Sequence, residues 1–130
     1  MRPTLALLLV AALAGTAGAD PAVAFHVVDD GGHLLWLQRL DGAAPISAQI
    51  APNKARTAAL GRRESRVYEE MINQGRMSFL SAPGLEAMLE GGVPIVAGGH
   101  CVGAVGVSGV KSTEDAQIAR AGIAALALAG

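Results

Sequence analysis

Three histidines, one cysteine and a lysine set among small residues carry most of the chemistry this sequence could perform. The histidines, His26, His33 and His100, match neither H-x-x-x-H nor H-E-x-x-H, so no preassembled zinc site is expected. Cys101 stands alone, which excludes an intramolecular disulfide framework and a cysteine-based zinc cluster. His26 falls inside an apolar, β-rich run and is expected to be a hydrogen-bonded structural residue. His33 begins a strand beside a glycine turn, where an imidazole can reach a pocket mouth, and is the one candidate metal ligand. His100 is read as solvated in a hairpin turn, and Cys101 as a small buried hydrophobe.

Lys54 is the polar residue of most interest. In a helix, Ile50, Lys54, Thr57 and Gly61 share one face, so an ammonium and a hydroxyl stand on a stripe of small residues. Such a stripe is either a solvated face or a pocket lining in which Lys54 anchors a carboxylate, with Arg39 assisting. Asp29 most simply braces a turn, and with Lys54 and His33 it completes the set of candidate proton-moving groups. Ser108 lies in a V-S-G context and not in a G-x-S-x-G elbow, so no serine nucleophile is read.

The stretch GGVPIVAGGHCVGAVGVSG, Gly91 to Gly109, holds seven glycines in nineteen residues. It lacks the strand–G-x-G-x-x-G–helix order of a dinucleotide site. Lys111-Ser112 imitates the end of a P-loop, but Ala104 stands where the first glycine must be. The glycines are therefore expected to serve tight turns and close sheet-to-helix packing, or to wall a pocket for a flat ligand.

The elements that must position these groups follow from periodicity and punctuation. Ala22 to Val28 and His33 to Leu40 read as strands joined by the Asp29-Asp30-Gly31-Gly32 turn. Alternation puts His33, Leu35, Leu37 and Arg39 on one face of the second strand, and Leu34, Trp36, Gln38 and Leu40 on the other. Ser47 to Arg63 reads as a helix with Ser47 as its cap, its regular part starting near Pro52, where a proline costs no hydrogen bond. Ser65 is expected to cap a second, short helix that Gly75 closes. Met77 to Leu89 has no sustained period and reads as a loop or lid. Val93 to Ala97 and Cys101 to Val107 form a second hairpin about Gly98 and Gly99, and an alanine-rich helix follows the acidic start at Glu114 and Asp115. Paired hairpins separated by helices indicate an α+β domain with an antiparallel sheet.

A chain of 130 residues, 52% of them hydrophobic, has room for one core, so residues 1–130 are read as a single domain. A net charge of -1 and aromatics at 3% leave neither a basic footprint nor stacking platforms for nucleic acid. Residues 1–19 contain an apolar run from Leu5 to Ala14, too short for a membrane span, which is either a cleaved signal peptide or a buried first helix. Retention of the run, and with it a cytoplasmic location, is the reading preferred; a secreted or periplasmic protein is the alternative.

The segments VAFHVVDDGGHLLWLQRLDGA, NKARTAA, GGVPIV and VGAVGVSGVKSTEDAQIARAG, in this order, resemble the family of heme-binding or heme-degrading domain proteins that includes GlcG, HbpS and the carboxy-terminal domain of PduO-type proteins. The resemblance implies a profilin-like three-layer α/β sandwich with a central antiparallel sheet, and dimers that assemble further, up to octamers. It also implies a pocket near subunit contacts for heme or another small acid. Matched position by position, the candidate ligand-binding residues are Arg39, Lys54, Thr57, Gly91, Gly92, Pro94 and Ser108, to which His33 is added from its place beside the turn. One departure matters: a threonine associated with iron in a heme-binding member is Val93 here, leaving His33 as the axial candidate. The expected function is therefore an oligomeric heme- or small-acid-binding protein. The alternatives are an isomerase or lyase acting on a small carboxylate in the same pocket, and a structural oligomerisation module.

Overall fold

A computed structural model of the chain describes residues 22–129; the apolar run of residues 1–19 lies outside them. Strands β1 (Ala24–Asp29) and β2 (Leu34–Arg39) form the first hairpin, followed by helices α1 (Ser47–Gly61) and α2 (Ser65–Asn73) and a 3-10 turn at Met77–Ser81. Strands β3 (Gly92–Ala97) and β4 (His100–Ser108) form the second hairpin, and helix α3 (Ser112–Ala129) ends the described chain. The sheet order is β2-β1-β4-β3 with every neighbour antiparallel, so the two hairpins join through β1 and β4.

Strand alternation sorts the core into two layers. Phe25, Val27, Val93, Ile95, Val105 and Val107 face α3, where they pack with Ala119, Ile118 and Ile123. Val28 and Ala104 face α1 and meet Ala55, Ala58 and Ala59. Helix, sheet and helix thus make the three-layer α+β arrangement expected from the sequence. Each buried valine or phenylalanine contributes about 1.5–3 kcal/mol of transfer free energy.

Local punctuation departs from expectation in four places. The helix α1 runs unbroken from Ser47 through Pro52; Ile46 holds its cap position and Ser47 lies buried in the first turn, so neither Pro52 nor a Ser47 cap sets its start. Ser65 likewise sits inside α2, with Glu64 at the cap position. Its hydroxyl instead donates to the Leu89 carbonyl (2.5 Å) and accepts from the Gly92 N–H (2.8 Å). A bulge between Val27 and Val28 breaks the alternation of β2, so Leu34 pairs with Val28 and joins Leu37 and Arg39 on the α1 side. Leu35 packs with the α3-side core.

The segment after the 3-10 turn is a pinned strap and not a free lid. Arg56 Nε donates to Gly84 O (3.2 Å), Thr57 Oγ1 to Glu86 O (3.0 Å), and the Glu69 carboxylate accepts from the Glu90 N–H (2.6 Å). Between strap and α2 lies a cavity of about 410 Å³ lined mainly by Ile72, Leu80, Leu85, Met88 and Leu89. No helix among the described residues is long and apolar enough to cross a membrane.

Candidate functional site

The residues singled out in the sequence separate into a buried cluster and an exposed pair. At the buried end, Lys54 Nζ donates to the Val107 carbonyl (3.0 Å) and to Asp115 Oδ2 (3.1 Å), and both charged side chains are only 2% exposed. The carboxylate that Lys54 holds is therefore the chain's own Asp115. An incoming acid would have to displace that partner, so the expectation of Lys54 as a free carboxylate anchor is corrected. Burial pushes the Asp115 carboxyl upward, while the Lys54 ammonium and the N–H groups of Val110 and Gly109 pull it back. Lys54 and Asp115 are 61 positions apart, and no local pattern links them.

The Gly-Gly-x-Pro segment serves the same junction. A Cβ on Gly91 would stand 2.8 Å from Lys54 Nζ, and one on Gly92 would overlap the Lys54 carbonyl oxygen. Gly106, paired with Gly92 across the ladder, has the same relation to Ala51 O. These glycines let the backbone of α1 settle onto the sheet, so Gly92 faces helix where an open pocket wall was expected. Pro94 pairs with Ala104 on that same face. Val93 points the other way, into the α3-side core beside Val105, and packs there instead of facing a ligand. Thr57 spends its hydroxyl on the strap, and Ser108 is buried in register with Ala24, itself paired with Arg39.

At the opposite end of β1 the arrangement is open. Asp29 Oδ1 accepts from the backbone N–H groups of Gly31 (2.9 Å) and His33 (2.9 Å) and lies 3.2 Å from His33 Nδ1. Desolvation works against ionisation of this carboxyl, but the N–H groups of His33 and Gly31 and the imidazole outweigh it and hold the group below its ordinary value. An ionised carboxylate only accepts, so the Nδ1 facing it carries a proton, and Nε2 is the nitrogen left over for a ligand. The His33 side chain is 77% exposed. A carboxylate holding one ring nitrogen, with the other left over, is the arrangement in which a metal-ligating histidine is oriented by its partner.

The remaining candidates lie elsewhere. Arg39 ends β2, six residues from His33 and thus about 20 Å away along the strand. Its Nη1 donates to Ala43 O at 3.3 Å. His26 is 5% exposed on the α1 face, its Nδ1 lacks a hydrogen-bond partner, and burial lowers its pKa to about 4. The expected hydrogen-bonded histidine is thus buried without a bond to that nitrogen. His33, Arg39 and Lys54 do not converge within one chain.

A three-layer α+β sandwich of this kind matches a known group. The model of the family described as "Haem degrading protein HbpS-like" matches residues 3–124, and the chain belongs to that family. Protein GlcG of Escherichia coli strain K12 is 61% identical over 87 residues, which make up 67% of this chain and 64% of GlcG; the match thus spans less than two thirds of that relative. Among solved structures, a double mutant of Streptomyces reticuli HbpS superposes with a TM-score of 0.85 at 32% identity, covering 95% of this chain and 85% of the other. Klebsiella pneumoniae protein ORFY superposes with a TM-score of 0.87 at 28% identity, covering 98% and 90%.

Proposed function

We propose that this chain is a heme-binding protein in which His33 would hold the iron, and that it works as a homo-oligomer. The observation that carries the reading is the Asp29–His33 pair, an oriented and accessible imidazole. Family membership supports it, since the family's description is one of heme degradation. Bound heme would supply redox and oxygen chemistry; the protein's part is to ligate, orient and enclose it. Asp29 holds the imidazole in the ligating tautomer. Leu34 and Leu37 follow His33 on one face of an edge strand and are exposed, giving an apolar surface for a porphyrin face or a second subunit.

Titration of the purified protein with hemin tests this directly. A saturable Soret shift is expected, with its position altered and its affinity reduced in His33→Ala. Binding no better than a nonspecific control, or a spectrum unchanged by His33→Ala, would sink the assignment. Light scattering on the same samples should report a species larger than one chain.

A further inference from the structure

A second polar site lies where three turns meet: the Asp29–His33 turn, the carboxyl end of α1 and the β3–β4 hairpin tip. A cleft of about 470 Å³ opens there, lined by Asp30, Arg62, Val96, Gly99, His100 and Cys101. Its main cation is held with care. Arg62 Nη1 donates to the Asp30 carbonyl at 2.8 Å, which fixes the guanidinium through a neutral group, and Asp30, which also lines the cleft, makes no ion pair with it. Among the described residues, no carboxylate forms an ion pair with Arg62.

The backbone adds an independent observation. Arg62 occupies the left-handed cap position of α1, at φ 55°. That position ordinarily takes glycine, and a side chain there is strained. A glycine is present but one residue early, where Gly61 makes room for the Tyr68 ring. The chain thus puts an arginine where glycine would be more stable, with its head group on a cleft. Across from it, a Cβ on Gly99 would meet nothing within 4 Å, so that wall leaves space for a ligand.

We infer that this cleft recognises a carboxylate, with the Arg62 guanidinium as its charged partner. The carboxylate belongs either to a free small organic acid or to a propionate of heme bound nearby. The site does not depend on His33 as a ligand.

Isothermal titration of the heme-free protein with malonate and succinate, and a parallel titration with hemin, would test it. Two variants are informative: Arg62→Gly, which removes the cation while relieving the backbone, and Val96→Glu, which keeps Arg62 but sets a carboxylate in the cleft. We expect each to weaken carboxylate binding at least tenfold, with the Tm of Arg62→Gly equal to or above that of the parent. Malonate or succinate binding retained in His33→Ala identifies a free-acid site. Loss confined to hemin identifies a propionate site. If neither the free acids nor hemin bind more weakly to both variants, the inference is overturned. Failure of all hemin binding alongside Arg62-dependent malonate binding would overturn the heme assignment and leave this one standing.

Discussion

Lys54 and Asp115 join the middle of α1 to the first turn of α3 through a buried ion pair of 3.1 Å, reaching past the end of β4, whose Val107 carbonyl shares the ammonium. Desolvation outweighs pairing at Asp115, so the pair is better understood as a specific lock between layers than as a large net source of stability. Removing one partner strands the other in the interior. Lys54→Met or Asp115→Leu alone should cost about 3–5 kcal/mol, and the double variant should cost well under the sum. Urea denaturation of the four proteins measures this. Additive losses would show that the two charges do not depend on each other.

His26 gives the fold an acid-sensitive point. Its folded pKa of about 4 lies below the 6.5 of an unburied imidazole, because burial disfavours the cation. Between those values the unfolded chain binds a proton that the folded chain refuses. The stabilising contribution is therefore complete above pH 6.5 and declines as the pH falls toward 4, by about 3 kcal/mol in all. His26→Gln should remove that slope. Denaturation midpoints at pH 7, 5.5 and 4 compare the two proteins, and an identical pH dependence would exclude His26 as its source.

The Asp29–His33 relation predicts a graded effect on the metal. Asp29→Asn keeps the shape of the side chain and a hydrogen-bonding oxygen while removing the carboxylate charge that faces His33 Nδ1. Hemin affinity should fall about 10-fold or more, less than in His33→Ala. A hemin titration checks the order of the three affinities; parent-like binding in Asp29→Asn would separate the carboxylate from ligation.

Much of this architecture was legible in the sequence because the signals were local. The Asp29–Gly32 turn, the Gly98-Gly99 tip and the acidic start of α3 each depend on neighbouring residues, and the structure has all three. The sequence shows that Ser47 and Ser65 can cap a helix, but not that Ser65 has a better use in tying Leu89 and Gly92 to α2. The bulge at Val27 and Val28 moved Leu34 across the sheet, which no count of alternating residues could register. The site was harder still. Lys54 looks like an anchor for a ligand until the fold delivers Asp115 to it. Arg62 stands out only once its backbone conformation is known, although the Gly61-Arg62 order was a faint mark of it.

The glycine-rich stretch supports the most discriminating prediction about packing. Gly92 and Gly106 have ordinary backbone angles, so their need for glycine is purely one of space: a Cβ on either would overlap a carbonyl oxygen of α1. That obstacle is main chain and cannot rotate away, so α1 must lift from the sheet. Gly92→Ala and Gly106→Ala should each cost about 3 kcal/mol or more, the upper end for overpacking, and should also disturb the Lys54–Asp115 pair beneath. Gly98 is the opposite case, with φ 58° and nothing within 4 Å of an added Cβ. Gly98→Ala should cost only about 1 kcal/mol, and Gly98→Asn less, because asparagine tolerates the left-handed region. Thermal or urea unfolding of the four variants measures both classes. If Gly106→Ala were as mild as Gly98→Ala, the close seating of α1 on the sheet would be wrong.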